Sequence, residues 1–289
     1  MDLPALAVSL RTHVTALASA PRVPGTPEHR RARDYIRGQL QRAGFEVDEV
    51  VRREAGLECL NLLTRPIPDG SGRPRVIIGA HYDSVPASPG ADDNGSAVAA
   101  LLELGRWIRP RLEEHCPTAL QLAAYDLEEY GLVGSAYHCR DLQQEGAGLR
   151  GMISLEMLGY TDARPGSQRL PPHLAAFYPD VANFIGIVGN EASRFLLQAV
   201  VGKLKEVPGL PVEFIAVPGK GELLPESRLS DHSSFWDRGH PALMITDTSF
   251  FRNPHYHQSS DTPETLDYPF LARVTLGVCT AALFLGQQE

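Results

Sequence analysis

The chain has 289 residues, 43% hydrophobic and 21% charged, with 35 acidic against 27 basic side chains and a formal net charge of −8. That is enough chain for one large domain, and the acidic balance argues against a nucleic-acid partner, which would select a basic face. The four cysteines, Cys59, Cys116, Cys139 and Cys279, form no CxxC pair, so no thiolate zinc site is expected. No signal-peptide core and no apolar run of membrane-spanning length is read, so the expectation is a cytoplasmic protein with reduced thiols and no membrane partner.

In chain order, residues 4–20 read as an amphipathic helix. Thr26 then caps a second helix with Pro27 at its first position and Ala32, Tyr35, Ile36 and Leu40 at helical spacing. Gly44 closes it, and 45–51 alternates like an edge strand. Residues 58–67 predict a second strand and 68–74 a hairpin turn leading to a strand at 75–82 buried on both faces. A helix over 96–112 and a strand over 118–127 follow; 131–142 reads as loop with a short helix, and 151–160 as another buried strand. Residues 161–182, rich in Pro and Gly, predict an irregular insertion. Then come a strand (183–190), a helix (191–207), a strand (212–219), a long loop (219–234), a last strand (241–248) and a capped C-terminal helix (261–288). Apolar strands alternating with helices predict an α/β single-domain sandwich over 1–289, its mostly parallel mixed central sheet flanked by helices, with the N-terminal helices of about 1–45 packed on it.

In such sheets ligands bind beyond the carboxyl ends of the strands. His81 and Asp83 follow the strand VIIGA, Glu128 and Glu129 follow LAAYD, and Glu156 follows GMISL; Asp231 and His232 lie in the loop before PALMI, and His257 follows LMITD. Taken singly, a histidine after a strand is ordinary, an Asp92–Asp93 pair suits a helix N-terminus, and Glu128–Glu129 suits a solvated turn. Glu156 is different, because an acid inside MISLEML must be paired, protonated or metal-bound. Imidazole and carboxylate donors without thiolate suit zinc, cobalt or manganese. Their number exceeds one tetrahedral ion and suits two ions sharing a carboxylate. Neighbouring glutamates diverge, so one can ligate while the other stays free as a general base.

The ordered motifs HYD (81–83), GADDNGS (90–96), EEYGLVGS (128–135), SLEMLGY (154–160), SDHSSF (230–235) and YHQSSDTPETLD (256–267) resemble the di-zinc aminopeptidase family of metallopeptidases, peptidase family 28 of the metallo class, which also contains glutaminyl cyclases. The resemblance runs from about residue 22 to the C-terminus and implies a zinc-exopeptidase, phosphorylase/hydrolase-like fold. It implies His81, Asp93 and Glu156 on one zinc, and Asp93, Glu129 and His257 on the other, with Asp93 bridging. It places Glu128 as general acid/base toward a water or hydroxide shared by the ions, Asp83 as the group orienting His81, and Tyr256 as a phenol stabilising the oxyanion. The activity implied is release of N-terminal residues from peptides.

Asp92, beside the bridging residue, is expected to cap locally. Glu156 stands where the best-known secreted members carry Asp, and Ala97 where many have Gly after the Ser. Asp231, His232 and Arg228 are candidates for binding substrate. Glutaminyl cyclisation is the alternative of the same fold. A carboxypeptidase or dipeptidase is another and would need a basic residue, Arg228 or Arg252, for a carboxylate. A non-catalytic binding module is the alternative of another class, disfavoured because neither Glu128 nor a histidine is lost. Oligomeric state is not legible in the sequence.

Overall fold

The structure, a computed structural model, describes every residue except 55, 69–71, 113–115, 147, 173 and 289. Its elements are α1 (Leu3–Leu17), α2 (Pro27–Arg42), β1 (Val47–Glu54), β2 (Leu57–Thr64), β3 (Arg75–His81), α3 (Ala97–Ile108), β4 (Ala119–Tyr125), α4 (Val133–Gln144), β5 (Leu149–Glu156), β6 (Ile185–Asn190), α5 (Arg194–Lys205), β7 (Val212–Val217), α6 (His232–Asp237), β8 (Ala242–Thr246) and α7 (Tyr268–Gly286). The eight strands form one mixed sheet in the order β1-β2-β4-β3-β5-β8-β6-β7. Pairings β4–β3–β5–β8 and β6–β7 are parallel, while β1–β2, β2–β4 and β6–β8 are antiparallel.

Alternation along each strand splits the core in two. Ile78, Ile153, Leu243 and Ile187 face a layer built from α1, α2, α3, α5 and α7. Ile77, Met152, Ala242 and Val188 face the opposite side, where α4 and α6 pack. Strands β3 and β4 are buried almost throughout because both faces are covered. The Thr26 hydroxyl accepts the His29 N–H, closing the start of α2 as the sequence predicts.

Four expectations are corrected. The antiparallel pair is β1 with β2, and β4 lies between β2 and β3, so among the described residues β2 and β3 do not pair as a hairpin; the turn expected at 68–74 lies partly outside the described residues. The segment after Glu129 contains a full 12-residue helix, α4. The loop expected over 219–234 ends in α6, which opens at His232. Finally, α7 is by length and composition apolar enough to cross a membrane. It is mostly buried, packed against α1, α3 and α5, so its apolarity serves the core. The 161–182 segment is irregular as expected, pinched by a bridge in which the Asp162 N–H donates to the Ala182 carbonyl, with Ser167 Oγ accepting the Ala182 N–H beside it.

Candidate metal centre and substrate cavity

The site lies at the carboxyl ends of β3, β4, β5 and β8. Beyond β3 the chain turns through 90–96, where Asp93 (φ −100, ψ 92) and Asn94 (φ −123, ψ 35) leave helical geometry before α3 begins. This loop takes the place of a strand partner for the segment after β5. The Met157 N–H donates to Asn94 Oδ1, Leu158 N–H to Ser96 Oγ and Gly159 N–H to Asp92 Oδ1, each at 2.9 Å. Asp92 Oδ2 accepts from Asn253 Nδ2 at 2.7 Å. Asp92 is therefore a buried strut between two loops, not the local cap expected from its position.

The loop is held from behind by two residues whose part in the site was not read from the sequence. Fully buried Arg22 donates to the carbonyls of Tyr82 (2.8 Å), Gly90 (2.9 Å) and Leu17 (3.2 Å). Asp261 accepts the N–H groups of Asp92 (2.9 Å) and Asp93 (3.1 Å). Asp261 lies inside the YHQSSDTPETLD motif, which marked its neighbourhood without its role; Arg22 had no local signal.

Asp93 presents its two oxygens to two different histidines. Oδ1 is 3.3 Å from His81 Nε2, and Oδ2 is 3.2 Å from His257 Nε2. Glu156 Oε1 lies 3.6 Å from His81 Nε2, its other oxygen accepting from Ser230 Oγ at 2.8 Å. Glu129 Oε2 lies 3.1 Å from His257 Nε2. Donor atoms of His81, Asp93 and Glu156 fall within 4.8 Å of one another, and so do those of Asp93, Glu129 and His257. Glu128 belongs to neither set; its Oε2 is 3.8 Å from His81 Nε2. Asp83 Oδ1 sits 3.4 Å from His81 Nδ1, and its two oxygens accept the N–H groups of Glu128 and Glu129, both at 3.2 Å. One carboxylate thus registers a histidine against the two-glutamate turn.

The residues fit divalent cations. His257 Nε2 and Glu129 Oε1 make no well-aligned hydrogen bond to any protein group although both are buried. Four carboxylates, Asp93, Glu128, Glu129 and Glu156, crowd around two imidazoles. Burial first, and then Glu156, Asp231 and Glu129, push the Glu128 carboxyl well above the usual range, against the pull of His81. The donors are nitrogen and oxygen only, as zinc, cobalt or manganese require. All four cysteines are free and buried, and none belongs to either donor set.

Tyr256 stacks on His257 with ring centroids 3.8 Å apart and borders a cavity that also exposes Asp93, Glu128, Glu129 and Glu156. Away from these carboxylates the cavity is mainly apolar, with Leu170 and Leu174 of the insertion, Phe184, Ile187 and Met244 among its walls. The irregular 161–182 insertion thus forms part of the cavity wall. The other three candidates are not brought to the cavity. Arg228 is held by Asp237 (2.8 Å) and the Lys220 carbonyl. His232 packs edge-on to Trp236 and contacts the Ser227 carbonyl at 2.8 Å, and burial takes its pKa down to about 4. Asp231 is fully buried behind Ser230, its pKa raised by burial to about 7. Arg252 is also committed, to Gln168 and the Phe184 carbonyl, so neither arginine offers a carboxylate anchor in the cavity.

A model of Peptidase family M28 matches residues 64–282, and the chain belongs to that family. It is 40% identical over 221 residues to the uncharacterized protein YfbL of Escherichia coli (strain K12), covering 72% of this chain and 66% of that one. It is 26% identical over 223 residues to leucine aminopeptidase 1 of Fusarium vanettenii, covering 72% and 52%. The chain thus spans between about half and two thirds of these curated relatives. Among solved structures, the LapA aminopeptidase of Legionella pneumophila is similar with a TM-score of 0.79 at 20% identity, covering 99% of this chain and 74–75% of LapA. Glutaminyl cyclase of Porphyromonas gingivalis is similar at 0.70 and 20% identity, covering 96% and 97%. These likenesses extend the family's fold over the whole chain.

Proposed function

We propose that the chain is a metal-dependent aminopeptidase that hydrolyses N-terminal residues from peptides and holds two zinc ions, with cobalt or manganese as substitutes. The observation that carries this reading is the division of Asp93 between two donor sets beside a glutamate, Glu128, that belongs to neither. His81, Asp93 and Glu156 would hold one ion, and Asp93, Glu129 and His257 the other. Bound there, the ions would supply Lewis acidity toward the scissile carbonyl and the attacking water.

The chain's own groups do the rest. Glu128, which borders the cavity and belongs to neither donor set, takes the proton of the attacking water and passes it to the departing amine. The Tyr256 hydroxyl, at the cavity wall, donates to the developing oxyanion. Asp83 keeps His81 and the Glu128–Glu129 turn in register. The apolar cavity receives the side chain of the substrate's first residue.

The test is hydrolysis of aminoacyl-p-nitroanilides with and without a chelator. Chelator-sensitive release that returns on adding zinc supports the reading. No release from any aminoacyl substrate, together with cyclisation of glutaminyl peptides, would replace it with the cyclase chemistry of the same fold.

A further inference from the structure

The cavity runs along a row of paired residues that crosses the sheet. Glu156 on β5 pairs with Thr246 on β8, Thr246 with Gly186 on β6, and Gly186 with Glu213 on β7. Directly paired residues project from the same face. Glu156, a member of one donor set, and Glu213 at the far edge therefore look into the same space, and all four residues line the cavity. Three interstrand steps of about 4.8 Å put their backbones roughly 14 Å apart. Between them the floor is low, because Thr246 is small and Gly186 has no side chain. The result is a trough that starts at the metal centre and ends at a carboxylate.

That carboxylate is unmatched. Glu213 makes no side-chain hydrogen bond or ion pair to another described residue, and the same holds for Glu226, which lines the cavity from the loop after β7. None of the described residues lining the cavity is Lys, Arg or His. The substrate's own ammonium group does not explain Glu213, since it must stay at the metal end beside Glu128 and Glu156. A purely aliphatic side chain filling the trough would strip water from Glu213 and offer nothing in return. A long unbranched stem with a positive end would lie on the apolar walls and meet the acid at the end.

Building on the aminopeptidase reading, we infer that Glu213, assisted by Glu226, selects substrates whose N-terminal residue is lysine or arginine over those with a neutral side chain of the same length. The discriminating measurement is kcat/KM of the zinc-loaded enzyme for lysyl-, arginyl-, norleucyl-, leucyl- and alanyl-p-nitroanilide. Lysyl and arginyl substrates should exceed norleucyl, and the margin should shrink as salt is raised. Glu213→Gln should lower the lysyl/norleucyl ratio roughly two- to fivefold, the range for a partly solvated charge pair. Gly186→Val, which raises the trough floor, should lower the lysyl/alanyl ratio. If norleucyl is preferred in the unmodified enzyme, or Glu213→Gln leaves the ratio unchanged while leucyl hydrolysis persists, the selectivity assignment falls and the aminopeptidase reading stands. If no substrate is cleaved in a chelator-sensitive way, both fall together.

Discussion

Asp93 is the residue on which the site turns, because one carboxylate serves both histidines through different oxygens. Glu129 and Glu128 are adjacent in sequence yet differ in what they meet: the first closes on His257, the second stays outside both donor sets. We expect His257→Ala to lower bound zinc from two ions to one per chain by elemental analysis, and Asp93→Ala to lose both. Glu128→Gln should keep both ions while kcat falls by roughly 10²–10⁴-fold, the usual worth of a general acid–base group. Near-full activity in that variant would remove Glu128 from the role proposed for it.

At the scale of elements, the loop before α3 converts one strand end into a scaffold for another. Its entry depends on Gly90, which holds φ +67 with Arg22 pressed against it. A Cβ at that position would stand 2.2 Å from the Asp93 carbonyl oxygen. Gly90→Ala should therefore lower both Tm and zinc content, since the loop cannot keep its shape with the added atom. The packing of α1 on α3 supplies a pH test away from the donor cluster. Burial raises the pKa of Glu103, but hydrogen bonds from His13, Ser9 and Arg106 outweigh it and bring the carboxyl from 4.5 to about 2. A depressed folded pKa stabilises above the unfolded value and loses that stabilisation as pH falls through the folded one. Glu103→Gln should thus melt below the unmodified protein at neutral pH, and the gap should close between pH 4.5 and about 2. A gap constant over that window would refute the ionic part of the contribution.

Across the molecule, α1, α2, α3, α5 and α7 cover one face of the sheet, while α4, α6 and long loops cover the other. That asymmetry leaves the second face open at β8, β6 and β7 for a cavity, with the donor groups gathered at its inner end. Metal binding to the folded form alone should raise its stability by about 2.7 kcal/mol at a free zinc concentration of 100 Kd. Chelation should accordingly lower Tm by several degrees, reversibly, by differential scanning fluorimetry. An unchanged Tm on complete metal removal would argue that the donor cluster does not bind metal preferentially in the folded form.

The sequence by itself determined the strand-helix alternation and the donor residues at the strand ends, because period and polarity are local and a buried acid such as Glu156 has few structural uses. The ordered motifs made the family legible for the same reason, as each is a short run on one loop. Tertiary structure alone decided the rest. Strand order placed β4 between β2 and β3, against the hairpin that adjacency suggested. Long-range hydrogen bonding brought Arg22 and Asp261 behind the 90–96 loop, more than 60 residues from Asp93 in one case and more than 160 in the other. Packing turned Arg228 and His232 away from the cavity, although their loop position pointed to it. The register of four strands, which no local pattern encodes, set Glu213 in line with Glu156 across the sheet.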